Sequence, residues 1–267
     1  MIRTAQLVRY DKLADSGRNR PLRVVVATDD GLEHEAVMKP AGWGELTVGS
    51  VTKELLSAGV GALVGLPLCE PFIVEADARL VGVIEDDLVR NGLMECAWPA
   101  FATSHAGKQW QNWSIGDQVT DGRRAAALAV LLFDAVADNA DRGGATPNLL
   151  VKGDELRAID HELCFSASQL IGVQPKPPWE HGGLEWMLTA EKKNVLMLSL
   201  AKTANLDFDP IRDAWAGLAD AELDAILQLL PDSWGGASAL AQAAIQRTKD
   251  VRDHIDACIV ELKRVLS

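Results

Sequence analysis

The segment DNADRGGATPNLLVKGDELRAIDHELCF, residues 138–165, decides the fold. It follows Asp121–Asp138 (DGRRAAALAVLLFDAVAD), whose Ala- and Leu-rich composition predicts the strongest helix in the chain. The helix ends in a loop that presents Asp141 and Asn148. Leu149–Lys152 and Leu156–Ile159 then read as a small hairpin turning at Gly153-Asp154, and Asp160 sits where its last strand ends. Phosphoryl transfer uses such a set: one carboxylate orients the attacking hydroxyl, while a carboxylate and an amide oxygen hold Mg²⁺ against phosphates. A helix–loop–hairpin brings all three to one point, because the hairpin doubles the chain back. Taken singly, Asp and Asn are common loop residues that cap helices and form Asx turns. Only the ordered set points to chemistry.

Working outward toward the N-terminus, Thr4–Tyr10, Leu22–Thr28 and Glu35–Lys39 read as a three-stranded meander. Its second turn is Asp29-Asp30-Gly31, and Pro40 closes it. A helix is expected next, N-capped by Ser50, with Val51, Leu55, Leu56, Val60 and Leu63 on one face and Gly65 after its end. Phe72–Glu75 and Arg79–Ile84 read as two further strands, and Glu95–Gly116 as an irregular connection holding Trp98, Trp110 and Trp113. Lys39 ends a strand, and Glu54 lies near the start of the helix that follows. A strand lysine that grips phosphates, steadied by a helix carboxylate, is the kinase arrangement. Alone, Lys39 reads as a solvated edge lysine and Glu54 as a first-turn acid favoured by the helix dipole. Toward the C-terminus, helices are expected over roughly 184–203, 210–230 and 238–266.

The order of these parts is the layout of an α+β, two-lobed protein-kinase-like fold. It predicts a small β-rich N-terminal lobe over residues 1–97 and a mostly helical lobe over 98–267. The sequence further resembles the HipA-like kinase family, in the branch whose catalytic loop reads NxDRxxxxPNLL and whose metal motif reads IDH. The matching residues are Asn139, Asp141, Arg142, Pro147, Asn148, Leu149 and Leu150, then Ile159, Asp160 and His161. SGRNRP (Ser16–Pro21), KELLSAGVGALVGLP (Lys53–Pro67) and LPDSW (Leu230–Trp234) also resemble it, so the likeness spans about residues 10–240.

The resemblance implies that Asp141 is the catalytic base, that Asn148 and Asp160 hold Mg²⁺, and that Lys39 contacts ATP phosphates with Glu54 as its ion-pair partner. Ser16, Gly17 and Arg18 would cover the phosphates. Arg142 would brace the loop. The implied reaction is transfer of the γ-phosphoryl group of Mg-ATP to a hydroxyl, Ser or Thr of a protein first. A pseudokinase-like regulatory module and a small-molecule or lipid kinase are the alternatives. The family includes toxin components neutralised by a partner protein, which the resemblance permits. Two departures stand out: the phosphate loop has one glycine, Gly17, and Asp141 and Asn148 are seven residues apart.

Other signals are weaker. His161 reads as a hydrogen-bonded structural residue after the metal ligand. No cluster has zinc spacing, and no GxSxG occurs. The eight tryptophans, against one tyrosine, read as core and interface fillers, with Trp98, Trp110 and Trp113 as candidates to wall an adenine site. Ser166 and Ser168 follow Asp160 in the loop and are candidate phosphorylation sites.

The composition fits this reading. The 267 residues carry a net charge of −12, which argues against nucleic acid and anionic membranes as partners. Residues 1–40 hold seven Lys/Arg and six Asp/Glu, so the negative charge lies beyond them and predicts a metal requirement before a nucleotide approaches. The longest apolar run, Ala125–Phe133, is too short to span a membrane. Four scattered cysteines read as buried thiols, and the absence of a visible signal peptide predicts a cytoplasmic protein.

Overall fold

The β-branched and alternating stretches near the N-terminus form strands because each buries one face or both. In the computed structural model, which describes residues 2–14, 19–114, 116–166, 176–201 and 203–267, the first three strands form the expected antiparallel meander. They are β1 (Arg3–Leu13), β2 (Leu22–Thr28) and β3 (Glu33–Ala41). Gly31 takes φ +80° in the β2–β3 turn, where a Cβ would be strained. The Asp30 side chain accepts from Thr28 Oγ1 at 2.6 Å and from the Leu32 backbone at 3.3 Å, fixing that turn.

Two more strands close the meander into a barrel. β4 (Pro71–Glu75) pairs parallel with β1, and β5 (Ala97–Ser104) lies antiparallel between β3 and β4, giving the order β1-β2-β3-β5-β4. Closure leaves no open sheet edge. Leu22, Val24, Val26, Met38, Phe72 and Val74 fill the barrel core, none more than 1% exposed.

Two sequence expectations are corrected in this region. The stretch 79–84 is no strand: Asp77 accepts from Arg79 N and caps α2 (Ala78–Gly82), and Asp86 accepts from Leu88 N and Val89 N to cap α3 (Asp87–Glu95). A capping carboxylate outweighs a short alternating pattern. Nor is 95–116 an irregular connection. It begins with β5, which carries the barrel to Ser104. Alanines and Pro99 give β5 little strand propensity, and burial against two neighbours decides its state instead. Pro99 falls where the β3–β5 register is interrupted, between the pairs Lys39–Phe101 and Ala41–Ala97, so its missing N–H disturbs no ladder.

α1 (Val48–Leu63) begins earlier than expected. Thr47, not Ser50, is the N-cap: its hydroxyl accepts from Ser50 N at 3.1 Å while Ser50 Oγ accepts from Thr47 N at 3.2 Å. Every residue from Val51 to Gly61 is buried, because α1 packs on the barrel and also on α8 (Asp220–Leu227) and α9 (Ala237–Asp253). Gly59 makes the second contact fit, since a Cβ there would stand 2.9 Å from Ile226 Cγ2.

The remainder is mainly helical. α4 (Arg124–Val136) is the expected core helix, and β6 (Gln111–Asn112), β7 (Leu149–Lys152) and β8 (Glu155–Ala158) form a small antiparallel sheet. Each of the three long C-terminal helices divides in two. Asn194 caps α6 (Val195–Leu200) after α5 (Trp186–Thr189), and Glu222 reaches back to Ala219 N to start α8 after α7 (Asp209–Ala216). His254 separates α9 from α10 (Ile255–Leu266). The fold is α+β. All four cysteines are buried and unpaired, and no helix among the described residues is long and apolar enough to cross a membrane.

The PDSW turn before α9 ties this part to the barrel. Ser233 Oγ donates to Trp98 O, and the buried Trp234 indole donates to Pro99 O at 2.9 Å. Trp234→Ala should lower unfolding free energy by ~3–5 kcal/mol in urea titrations. Trp234→Phe, which keeps most of the packing and leaves the Pro99 carbonyl unpaired, should cost about 1–3 kcal/mol.

Candidate active site

The site is organised by a carboxylate that sequence reasoning did not single out. Asp134, in the last turn of α4, is wholly buried, and an unpaired buried charge would be prohibitively costly. It receives four hydrogen bonds. Arg142 Nε donates to Oδ2 at 3.1 Å and Nη2 to Oδ1 at 3.2 Å. Asn139 Nδ2 donates to Oδ1 at 2.7 Å, and Asn194 Nδ2 to Oδ2 at 3.0 Å.

Arg142 extends this network into the loop and hairpin. Its Nη1 donates to Asn148 O at 2.6 Å and to Ile159 O at 2.9 Å, while its own carbonyl accepts from Val195 N at 2.9 Å. One planar guanidinium thus joins α4, the loop and the end of β8, and the Arg142 carbonyl ties the loop to the start of α6. Asn139 contributes again: its Oδ1 accepts from Asp141 N at 3.2 Å and sets that backbone. Asn148 and Asp160 both adopt left-handed backbone, with φ +55° and +59°, a conformation Asn and Asp tolerate better than other side chains.

Held this way, the expected residues fall into two linked groups. Asn148 Nδ2 donates to Asp141 Oδ2 at 2.9 Å. Across from them, Lys39 on β3 bonds both Glu54 on α1 and Asp160 Oδ1, the latter at 2.8 Å. Glu54 lies in the second turn of α1 and is buried, so the first-turn reading of it is corrected, as is that of Lys39 as a solvated edge residue. Ser16, Gly17 and Arg18 lie outside the described residues, as does Ser168.

Electrostatics separate the carboxylates. Burial would lower the Lys39 pKa, but Glu54 and Asp160 facing it raise it, so the ammonium stays charged. Burial pushes Glu54 up to about 7, only partly offset by Lys39, whereas Lys39 and a bond from Glu54 overcome burial at Asp160 and hold it below its usual range. Of the two, Glu54 is therefore the first to take a proton as pH falls, while Asp160 stays anionic. The Asp141 pKa is raised, by burial first and by the Asp160 charge second. Two carboxylates in each other's field are what a bound cation would relieve. Among the described residues no group of three or more His, Cys, Asp or Glu could hold a metal. The donors present suit a cation such as Mg²⁺, which takes one or two carboxylates and completes its shell with phosphates and water.

Other sequence candidates stand apart. Trp98 donates its indole to Leu93 O, Trp110 stacks under the Arg157 guanidinium at 4.4 Å, and Trp113 is buried under Arg123, so each has its own partners. His161 is buried edge-on to Phe133, and burial lowers its pKa well below the ordinary value. Its backbone N–H bonds Glu54. Of the residues missed, Asp134 left one trace in the sequence, a lone charge inside LAVLLFDAV. Asn194 left none.

Arg142→Met should destabilise the chain by ~3–5 kcal/mol, because Asp134 would remain charged in the core. Arg142→Lys should recover only part of this, since a point charge cannot reproduce the fork. Thermal unfolding of the two variants beside the parent chain measures both effects.

The chain is similar in fold to a Helicobacter pylori proinflammatory kinase, CtkA, at 11% identity over 98% of both chains with a TM-score of 0.53. The Golgi casein kinase is similar at 13% identity, covering 97% of this chain and 74% of that one, with a TM-score of 0.49. No curated protein matches the chain. The family model for HipA-like kinases matches residues 39–173, which runs from the barrel lysine past the IDH motif and takes in the whole Lys39–Glu54–Asp141–Asn148–Asp160 set. This chain belongs to the HipA-like kinase family.

Proposed function

We propose that the chain transfers the γ-phosphoryl group of Mg-ATP to a hydroxyl, with Ser or Thr of a protein as the acceptor class, in a two-lobed arrangement with the nucleotide between the barrel and the helical part. One observation carries the reading. Residues 39, 54, 141, 148 and 160, brought from three distant parts of the chain, converge through the Lys39–Asp160 and Asp141–Asn148 bonds and the Arg142 brace.

In this reading Lys39 binds the phosphates, with Glu54 fixing its ammonium. Asp160 and Asn148 hold Mg²⁺, which when bound neutralises developing phosphate charge. Asp141 orients the acceptor hydroxyl and takes its proton at a carboxylate oxygen. Its raised pKa improves it as a base, and the bond from Asn148 leaves its second oxygen to the acceptor. Positioning supplies much of the acceleration, and the rigid Asp134–Arg142 network serves that end.

ATP turnover by the purified chain should fall by about 10²–10⁴-fold in Asp141→Asn, and Asp160→Asn should abolish it. Turnover unchanged in both variants would end the assignment. Nucleotide binding in Asp141→Asn should persist, which separates lost chemistry from lost binding. Calorimetric titration should further show ATP affinity rising with Mg²⁺ and lost on chelation. An affinity indifferent to Mg²⁺ would contradict the roles given to Asp160 and Asn148. Labelled ATP offered with a protein mixture and, separately, with small hydroxyl compounds identifies the acceptor class.

A further inference from the structure

α1 carries a second buried charge beside Glu54. Lys53 is only 7% exposed, and its Nζ donates at 3.0 Å to Ser166 Oγ, 113 residues away in the chain. The same hydroxyl donates to Leu163 O at 2.6 Å. Position 166 is fixed from the preceding residue: Phe165 is buried and its N–H bonds Ala137 O at 2.6 Å. Burial lowers the Lys53 pKa, with Cys164 and Glu162 acting in the other direction. The group that hydrogen-bonds this ammonium is a neutral hydroxyl, a weak acceptor for a buried cation, with the Glu162 charge nearby. A packing role alone would be served by methionine.

We propose that Ser166 is a phosphorylation site and that Lys53 receives the phosphate, fixing the loop after Asp160 to the helix that carries Glu54. The proposal rests on the kinase reading only for the source of the phosphate. In the step, Ser166 Oγ forms a bond to the γ-phosphorus of ATP and the bond to the β,γ-bridging oxygen breaks. ADP leaves with that electron pair, and the hydroxyl proton passes to the Asp141 carboxylate of the copy performing the transfer. The product carries about −1.5 to −2 charges at neutral pH and three strong acceptor oxygens. It would replace a neutral acceptor with a charge-assisted pair. Glu162 is the competing carboxylate at Lys53, and the stronger phosphate charge is expected to prevail.

The test installs phosphoserine at 166 during translation of the full chain, so it does not depend on the chain's own catalysis. Calorimetry should show the melting temperature rising by about 3–8 °C relative to the unmodified chain. Lys53→Arg should keep the increment and Lys53→Met should abolish it. An unchanged or lowered melting temperature, or an equal rise in Lys53→Met, overturns the proposal. Should Lys53→Met fold too poorly for comparison, phosphorus NMR of the modified parent chain decides. Contact with Lys53 should lower the second phosphate pKa below about 6, and an unshifted value overturns the pairing. Peptide mapping after incubation with Mg-ATP forms the second arm. Phosphate on Ser166 supports the site, whereas a chain that phosphorylates a general acceptor and leaves Ser166 bare overturns it. Loss of the kinase reading would appear as no transfer to any acceptor, with the melting increment still present.

Discussion

The buried pair of Asp134 and Arg142 is the interaction on which the candidate site depends. Neither charge touches solvent, and each is tolerable only because the other is there. The carboxylate is saturated by four donors and the guanidinium by carbonyls from two further segments. Such a pair contributes little net stability beside an apolar alternative. What it contributes here is position. Three pieces of backbone that would otherwise meet only through side-chain packing are joined through one planar group. Asp141, Asn148 and Asp160 inherit their placement from it.

A second constraint sets the other half of the site. Lys39 comes from a barrel strand and Glu54 from a helix buried along most of its length. The barrel fixes the lysine by closing every edge around it, while α1 is held between that barrel and the C-terminal helices. The approach of Ile226 at Gly59 and the Trp234–Pro99 bond show how the far end of the chain holds the N-terminal part in place. The lysine–carboxylate contact is therefore a product of packing by segments that never reach the site. Its electrostatics follow from burial: two carboxylates share one ammonium, and the less solvated of them takes the higher pKa.

The local structure around the candidate site was largely legible in the sequence. A helix, an Asp–Asn loop, a tight hairpin and a closing Asp are all short-range features, and their signals are Gly153 at the turn and the apolar run of α4. Sequence reasoning failed where tertiary burial overrode weak local preference. AWPAFATS has poor strand propensity and became β5 because β3 and β4 flank it. ARLVG alternates like a strand and became α2 because Asp77 caps it. The C-terminal helices broke at Asn194, Ala219 and His254, where caps and packing end a turn that periodicity alone would continue.

The sequence by itself singled out the candidate site residues of the loop and hairpin, because Asp141, Asn148 and Asp160 lie within twenty residues on elements of strong local preference. It also determined that the negative charge lies beyond the first forty residues. Only the tertiary structure decided that Lys39 lies 2.8 Å from Asp160, that Asp134 anchors the loop through Arg142, and that Lys53 meets Ser166. Those contacts join residues that share no local pattern. They exist because a closed barrel and a packed helical core leave each buried charge one place to find its partner.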